Sequence, residues 1–325
     1  MKSKLLDIII TALILFCLLN AGYGQAPNLG TTSSFALYTA AGSFANLGAT
    51  NVTGDIGTNT AIPTGFPPGT LVGNIYQAGD GVSAQAAADA ATAYSDLSGT
   101  ACGTVIGTTL GNGQVLTAGI YCQGAASTLN GNLTLDGQGD PNALFIIKID
   151  GAFSTSVASK VILTNSASLC NVYWQINGQF DLGDSSVFMG TVIASGAINL
   201  FERSVLLGRG LSTAGAISLH NNAVNFLPES AEVITGTGTI CEGQTGVVYS
   251  IPMITNAAGY IWTLPAGASI TAGINTNNII VDFSYAASSG NINVYGTNAC
   301  GNGIVSPNYA LTISLRPLTS AIFHQ

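Results

Sequence analysis

One short pattern returns along the chain and limits what it can fold into: a glycine, any residue, an apolar residue, a small or polar residue, and usually a second apolar one. It occurs as Gly131-Asn-Leu-Thr-Leu, Gly151-Ala-Phe-Ser, Gly178-Gln-Phe-Asp-Leu, Gly196-Ala-Ile-Asn-Leu and Gly215-Ala-Ile-Ser-Leu, at spacings of 20, 27, 18 and 19 residues. Two earlier copies, Gly54-Asp-Ile-Gly and Gly73-Asn-Ile-Tyr, stand 19 apart. A period near 19 with strand-like alternation and glycine at corners is what a β-solenoid requires, because each coil contributes short strands that pair with the coils above and below. An ordinary sandwich places turns roughly every 8 to 12 residues and gives no reason for one residue pattern to return at a fixed coil length.

Val82 to Leu97 breaks the pattern. The segment is rich in alanine, lacks glycine and proline, and sets Val82, Ala86, Ala90, Ala93 and Leu97 on one stripe. It therefore predicts a helix over 82–98, closed by Gly99, whose narrow alanine face suits close packing along the solenoid wall. After Pro228 the composition shifts, with Glu229, Glu232 and Glu242 close together and short alternating runs separated by turn residues. That stretch, 229–315, reads as a small immunoglobulin-like β-sandwich, followed by a tail over 316–325. The expected fold class is all-β with one long helix: a β-solenoid over 25–228 and the C-terminal sandwich.

The first residues carry Lys2 and Lys4, then an apolar run from Ile8 to Leu19 interrupted only by Thr11, then small residues. This reads as a signal peptide over 1–24, cleaved near Gly24, so the protein is expected outside the cell. Export permits disulfides, and Cys102, Cys122, Cys170, Cys241 and Cys300 follow the leader. Cys102 and Cys122 bracket a glycine-rich loop and are expected to pair, stabilising it by about 3 kcal/mol in the chain-entropy picture. Cys241 and Cys300 are expected to pair within the C-terminal region. Cys170 opens the alternation Cys170, Val172, Trp174, Ile176 and reads as a buried free thiol.

Charge excludes several function classes. Five basic residues follow the leader (Lys148, Lys160, Arg203, Arg209 and Arg316) against fourteen acids, leaving no basic stripe for nucleic acid or acidic membranes. His220 and His324 are isolated, and the acids are scattered over different coils, so neither a metal site, a cofactor nor an enzyme is expected.

Thr31-Thr-Ser-Ser-Phe-Ala-Leu, Val52-Thr-Gly-Asp-Ile-Gly-Thr, Thr64-Gly-Phe-Pro-Pro-Gly, Leu133-Thr-Leu-Asp-Gly-Gln-Gly-Asp-Pro-Asn-Ala-Leu-Phe-Ile, Cys170-Asn-Val-Tyr-Trp-Gln-Ile and Leu207-Gly-Arg-Gly-Leu together closely resemble the bacterial and fungal ice-binding proteins of the irregular β-solenoid type. The resemblance spans about residues 28 to 227. It implies a right-handed solenoid of triangular cross-section with a long helix beside it, a loop cap stapled by a disulfide, and adsorption to ice through one flat face, giving thermal hysteresis and inhibition of recrystallisation. The C-terminal region resembles the PKD-like modules of Bacteroidetes surface proteins, which implies attachment at the cell surface; the sorting signal that follows such modules is not evident here.

A face that orders water against a crystal should be flat, poor in long charged side chains, and lined with small residues and short hydroxyls or amides. In the repeated unit, alternation points the apolar residue inward and its two neighbours outward. The unit is similar to the Thr-Ala/Gly-x-Thr/Asn pattern of the family's ice-contacting strands, with glycine in place of the leading threonine. Carried over residue by residue, the resemblance implies a face of Asn132 and Thr134, Ala152 and Ser154, Gln179 and Asp181, Ala197 and Asn199, Ala216 and Ser218, extended by Thr39 and Ala41. The competing class is a cell-surface adhesin for carbohydrate or another surface, which shares the leader and the second domain.

Overall fold

The computed structural model describes residues 24–314, so the leader ahead of Gly24 and the 316–325 tail lie outside the described residues. The chain divides between Asn225 and Phe226 into two compact units. In the first, short parallel strands stack coil on coil into three ladders. The first ladder is a seven-stranded sheet, in the order Phe44–Asn46, Ile217–Leu219, Ile198–Leu200, Phe180–Leu182, Phe153–Thr155, Ser127–Asn130 and Thr109–Gly111. The second and third ladders form one 15-stranded sheet, because strands Val187–Ala194 and Val205–Ser212 run through both. Their leading halves pair with Lys160–Thr164 and Ala223–Asn225, their trailing halves with Val172–Ile176 and Phe35–Thr39.

The stacking order is not the chain order. Strands of the first coil, Phe35–Thr39, Phe44–Asn46 and Asn51–Thr53, pair with strands of the last, Val205–Ser212, Ile217–Leu219 and Ala223–Asn225. Asp55–Thr58 and Ile75–Tyr76 then extend the stack beyond the first coil. The chain must next reach the far end, where Thr104–Val105 lies. On the third ladder that journey crosses eight inter-strand gaps, about 38 Å at 4.8 Å each. The helix Gly81–Gly99 supplies about 28 Å at 1.5 Å per residue, and its flanking connections supply the remainder.

The helix buries Ser83, Ala86, Ala90, Ala93 and Leu97. Val82, expected in that stripe, is 38% exposed; Ser83 replaces it because the Tyr38 hydroxyl of the third ladder donates to the Ser83 carbonyl. Phe35, Ile146, Tyr173, Ile193 and Leu211 complete the contact, so the third ladder is covered. Nearby, Arg209 donates from Nε and Nη2 to the Ser33 carbonyl at 3.1 and 2.8 Å and holds the turn Gly30–Ser34 in place. Burial pushes its guanidinium pKa down to about 10.

Inside the coils, Phe153 stacks on Trp174 and Phe180 at ring-centroid distances of 5.6 and 6.0 Å, and Trp174 Nε1 donates to the Met189 carbonyl at 3.0 Å. In the first-ladder copies of the repeated unit, the opening glycine (Gly151, Gly178, Gly196 or Gly215) sits at a corner where neighbouring coils meet backbone to backbone. A Cβ on Gly215 would lie 2.0 Å from Ala197 N, and one on Gly196 would lie 2.7 Å from the Gly178 carbonyl carbon. No larger residue fits at those two corners without spreading the coils.

In the second unit, a four-stranded sheet (Thr235–Gly236, Val247–Ser250, Asn278–Phe283, Ala268–Ala272) and a five-stranded one built on Gly290–Asn298 share one core. Ile240, Tyr249, Ile279, Val281, Phe283, Ile292, Val294 and Leu311 fill it.

The cysteines pair differently from that expectation. Cys102 and Cys122 are bridged, with Cα atoms 6.0 Å apart. Cys241 is an exposed free thiol and does not pair with Cys300. Cys241 aligns with Ser314, while Leu311 of the same strand pairs with Gly290, so Cys241 lies off the leading end of Gly290–Asn298. Cys300 lies just past its trailing end. At about 3.3 Å per residue those ends are far beyond the roughly 7 Å limit for bridged Cα atoms. Cys170 is buried as expected but is not free; Cys170 and Cys300 are each disulfide-bonded.

Two outcomes follow. Alkylation of the native chain should label Cys241 and no other cysteine between residues 24 and 314, as read by peptide mass mapping; labelling of Cys170 before unfolding would contradict its bridged state. Phe153→Ala should lower unfolding free energy by about 3–5 kcal/mol, since it leaves a void in the aromatic stack; urea denaturation measures it.

Candidate functional site

With the third ladder covered by the helix, no other described element of the same unit covers the remaining two ladders, and their outward side chains differ. On the second, Val115, Thr134 and Ile162 align in one row beside Asn132 and Lys160. Further along the same ladder stand Val187, Val205 and Ala223, and Leu207, Asn225, Thr53 and Val72. Large branched side chains and a lysine make that surface uneven.

The first ladder carries two regular rows of short side chains. In one row Ala152, Gln179, Ala197, Ala216 and Ser43 follow one another, fixed by the ladder bonds Phe153 N to Gln179 O, Phe180 N to Ala197 O and Ile198 N to Ala216 O, each 2.8 Å, and Ile217 N to Ser43 O, 2.9 Å. In the other, Thr109, Thr128, Ser154, Asp181, Asn199, Ser218, Ala45 and Thr64 align across eight successive coils. Between the rows, Phe44, Ile217, Ile198, Phe180 and Phe153 point inward and are fully buried or nearly so. Parallel pairing spaces each row at about 4.8 Å per coil.

One ionisable group interrupts the second row. Asp181 accepts from Gln179 Nε2 at 2.7 and 2.8 Å and from Asn199 Nδ2 at 2.7 Å. Two amides thereby fix the carboxylate and lay the long Gln179 side chain along the sheet, which keeps the middle of the face low.

Of the residues expected on one face, the structure brings together Ala152, Ser154, Gln179, Asp181, Ala197, Asn199, Ala216 and Ser218. It places Asn132 and Thr134 on the second ladder instead. The repeated unit marks a corner followed by a strand, and a corner occurs more than once per coil: the Gly131 copy opens a strand of the second ladder and the Gly54 copy one of the third. Thr39 is also elsewhere. It is fully buried, donates to the Gly215 carbonyl at 2.6 Å and accepts from Gly42 N at 3.1 Å. With Ser212 and Thr58, its neighbours in register, it forms an internal column of hydroxyls that satisfies corner carbonyls. Ala41 is exposed in the bend after that strand, outside both rows. Thr109 and Thr128, in Thr109-Leu-Gly-Asn and Thr128-Leu-Asn-Gly, escape a search for the glycine-led unit; their own 19-residue spacing is the signal that finds them.

Among the described residues no group of three or more His, Cys, Asp or Glu side chains could hold a metal ion, and no helix is long and apolar enough to cross a membrane.

The two units are each similar to known proteins. A family model described as Ice-binding-like matches residues 38–225, and one described as PKD-like domain matches 227–310. An ice-binding protein of Nostoc sp. (strain HG1) is 35% identical over 228 residues, covering 65% of this chain and 83% of the relative. The crystal structure of an ice binding protein from an Antarctic bacterium, Flavobacteriaceae, superposes with a TM-score of 0.60 at 36% identity, over 68% of this chain and 56% of that one. That of an ice-binding protein from the Antarctic ascomycete Antarctomyces psychrotrophicus gives 0.59 at 34% identity, over 62% and 98%.

The separation of internal hydroxyls from surface ones is testable. Thr39→Val strands a buried corner N–H and should lower stability by about 1–3 kcal/mol, whereas Ser218→Val, on the surface row, should stay within about 0.5 kcal/mol. Chemical denaturation of both variants measures the difference.

Proposed function

The chain belongs to the Ice-binding-like family, and from that premise we propose that it adsorbs to ice through the first ladder. The observation that carries this reading is the pair of aligned rows of small side chains on a ladder that nothing among the described residues of its unit covers. Each row repeats at the coil spacing and presents methyls, short hydroxyls and amides, so the troughs between coils can hold water in positions that a crystal shares. Because two amides hold Asp181, its charge organises water less freely than a solvated carboxylate would.

In this reading the coils wind as a right-handed solenoid of triangular cross-section, with the helix on one side and ice on another. The two sheets of the second unit form an immunoglobulin-like sandwich that displays the solenoid outside the cell, at the surface or released, after cleavage of the leader. The protein acts by adsorption and carries out no reaction. The family membership and the rows support ice over the adhesin reading that the sequence left open.

At micromolar concentration the full chain should shape growing ice crystals and suppress recrystallisation; unaltered crystal growth would sink the proposal. Ala197→Tyr and Ala216→Tyr each raise a ring above the alanine row and should remove most of the thermal hysteresis, while stability shifts by no more than about 0.5 kcal/mol. Ala223→Tyr places the same ring on the second ladder and should leave activity intact. If Ala223→Tyr abolishes activity and the other two retain it, the second ladder is the ice-contacting one.

A further inference from the structure

A cleft of about 400 Å3 opens between the last turns of the helix and the third ladder, away from both surface rows. Gln175 lines it and is 5% exposed. Trp174 and Ile176 on either side of it face the interior, so alternation turns the Gln175 carboxamide outward, beneath the helix. No hydrogen bond joins that carboxamide to another described residue. Among its neighbours in the cleft, Asn177 donates to Asp150 Oδ1 at 2.8 Å and accepts from the Tyr94 hydroxyl at 3.3 Å, whereas Gln123 donates from Nε2 to the Gly107 carbonyl and keeps a buried Oε1 without a partner. A buried acceptor left without a partner costs about 1–3 kcal/mol, so Gln123 Oε1 and the Gln175 carboxamide beside it in an open cleft are contacts that something entering can take up.

The surrounding charges select what can enter. Lys148 Nζ donates to the Ser98 and Thr100 carbonyls at 2.8 and 2.5 Å and so occupies the helix C-terminus. Exposed Asp150 and the negative end of the helix dipole disfavour an anion. The Lys148 ammonium, whose pKa burial lowers, disfavours a second cation. A neutral ligand remains. Gln175 can both donate to it and accept from it, and Asp150 retains accepting capacity beyond its one bond to Asn177. The walls are less polar, formed by the Tyr94 ring, Val105 and the Cys102–Cys122 bridge, which suits the C–H face of a saturated ring. The volume is near the lower end of the roughly 300–1,000 Å3 of small-molecule sites. We propose that this cleft binds a neutral polyhydroxylated molecule the size of one sugar ring, through Gln175 and Asp150. The inference does not rest on the ice reading.

Ligand-observed NMR on the full chain tests it, with glucose, galactose, mannose and mannitol as neutral probes and glucuronate and glucosamine as charged ones. At least one neutral probe should bind saturably, with a dissociation constant on the order of millimolar, and both charged analogues more weakly. Gln175→Leu, close in volume, should weaken binding about tenfold, as one lost hydrogen-bonding group predicts. Should that variant fail to fold, Asp150→Asn at the exposed rim decides, with a weakening of several-fold. Maltotriose binding as well as glucose would assign the cleft to a chain terminus and exclusion of maltotriose to a free solute, each in support. The proposal is overturned if no neutral probe saturates, if a charged analogue binds best, or if the folded variants bind like the parent chain.

Discussion

Parallel backbone pairing between coils stacked about 4.8 Å apart is the interaction on which the rest of the first unit depends. It admits no Cβ where corner backbones meet, hence the glycines at 196 and 215. It also leaves corner carbonyls inside the coil, which must be satisfied there. Thr39, Ser212 and Thr58 do this at one corner; Ser159, Ser186 and Asn222 do it at another, donating to the carbonyls of Leu129, Ser156 and Phe201. Regular spacing on the outside is therefore secured by polar columns on the inside.

The stack is long because the two ends of the first unit's chain meet in its middle. Phe35–Thr39 lies against Val205–Ser212, so the seven strands of the first ladder come from two separated stretches of sequence, 44–46 and 109–219. The same closure obliges the chain to cross from one end of the stack to the other, and the helix is that crossing. By covering the third ladder, it also settles which surfaces remain open. The ladder of small rows, the covered ladder and the cleft at the helix end are consequences of one topological choice.

Scarcity of charge fits this design. Charged side chains beside the first-ladder rows, the cleft and the Gly30–Ser34 turn are tied down: Asp181 by two amides, Lys148 by helix carbonyls, Arg209 by the Ser33 carbonyl. Each bond restrains a flexible or strongly hydrated group beside a closely packed surface.

The coil, the helix and the inward or outward direction of most residues in the repeated unit can be read from the amino-acid order alone, because alternation and glycine spacing are local properties. Ala152 with Ser154, Ala197 with Asn199 and Ala216 with Ser218 were legible for that reason. Which ladder a strand joins was not legible: the unit beginning at Gly131 has the same residues as the others but follows a different corner, and only the stacking assigns Asn132 and Thr134 to the second ladder. Thr39 reads as an outward hydroxyl until the coil of Ser212 packs over it. Cys241 and Cys300 likewise look paired by region, yet the length of Gly290–Asn298 holds them apart. Local pattern fixes direction along a strand; neighbours distant in sequence fix which surface that direction reaches, because coil order, with the first coil set against the last, is a property of the whole unit.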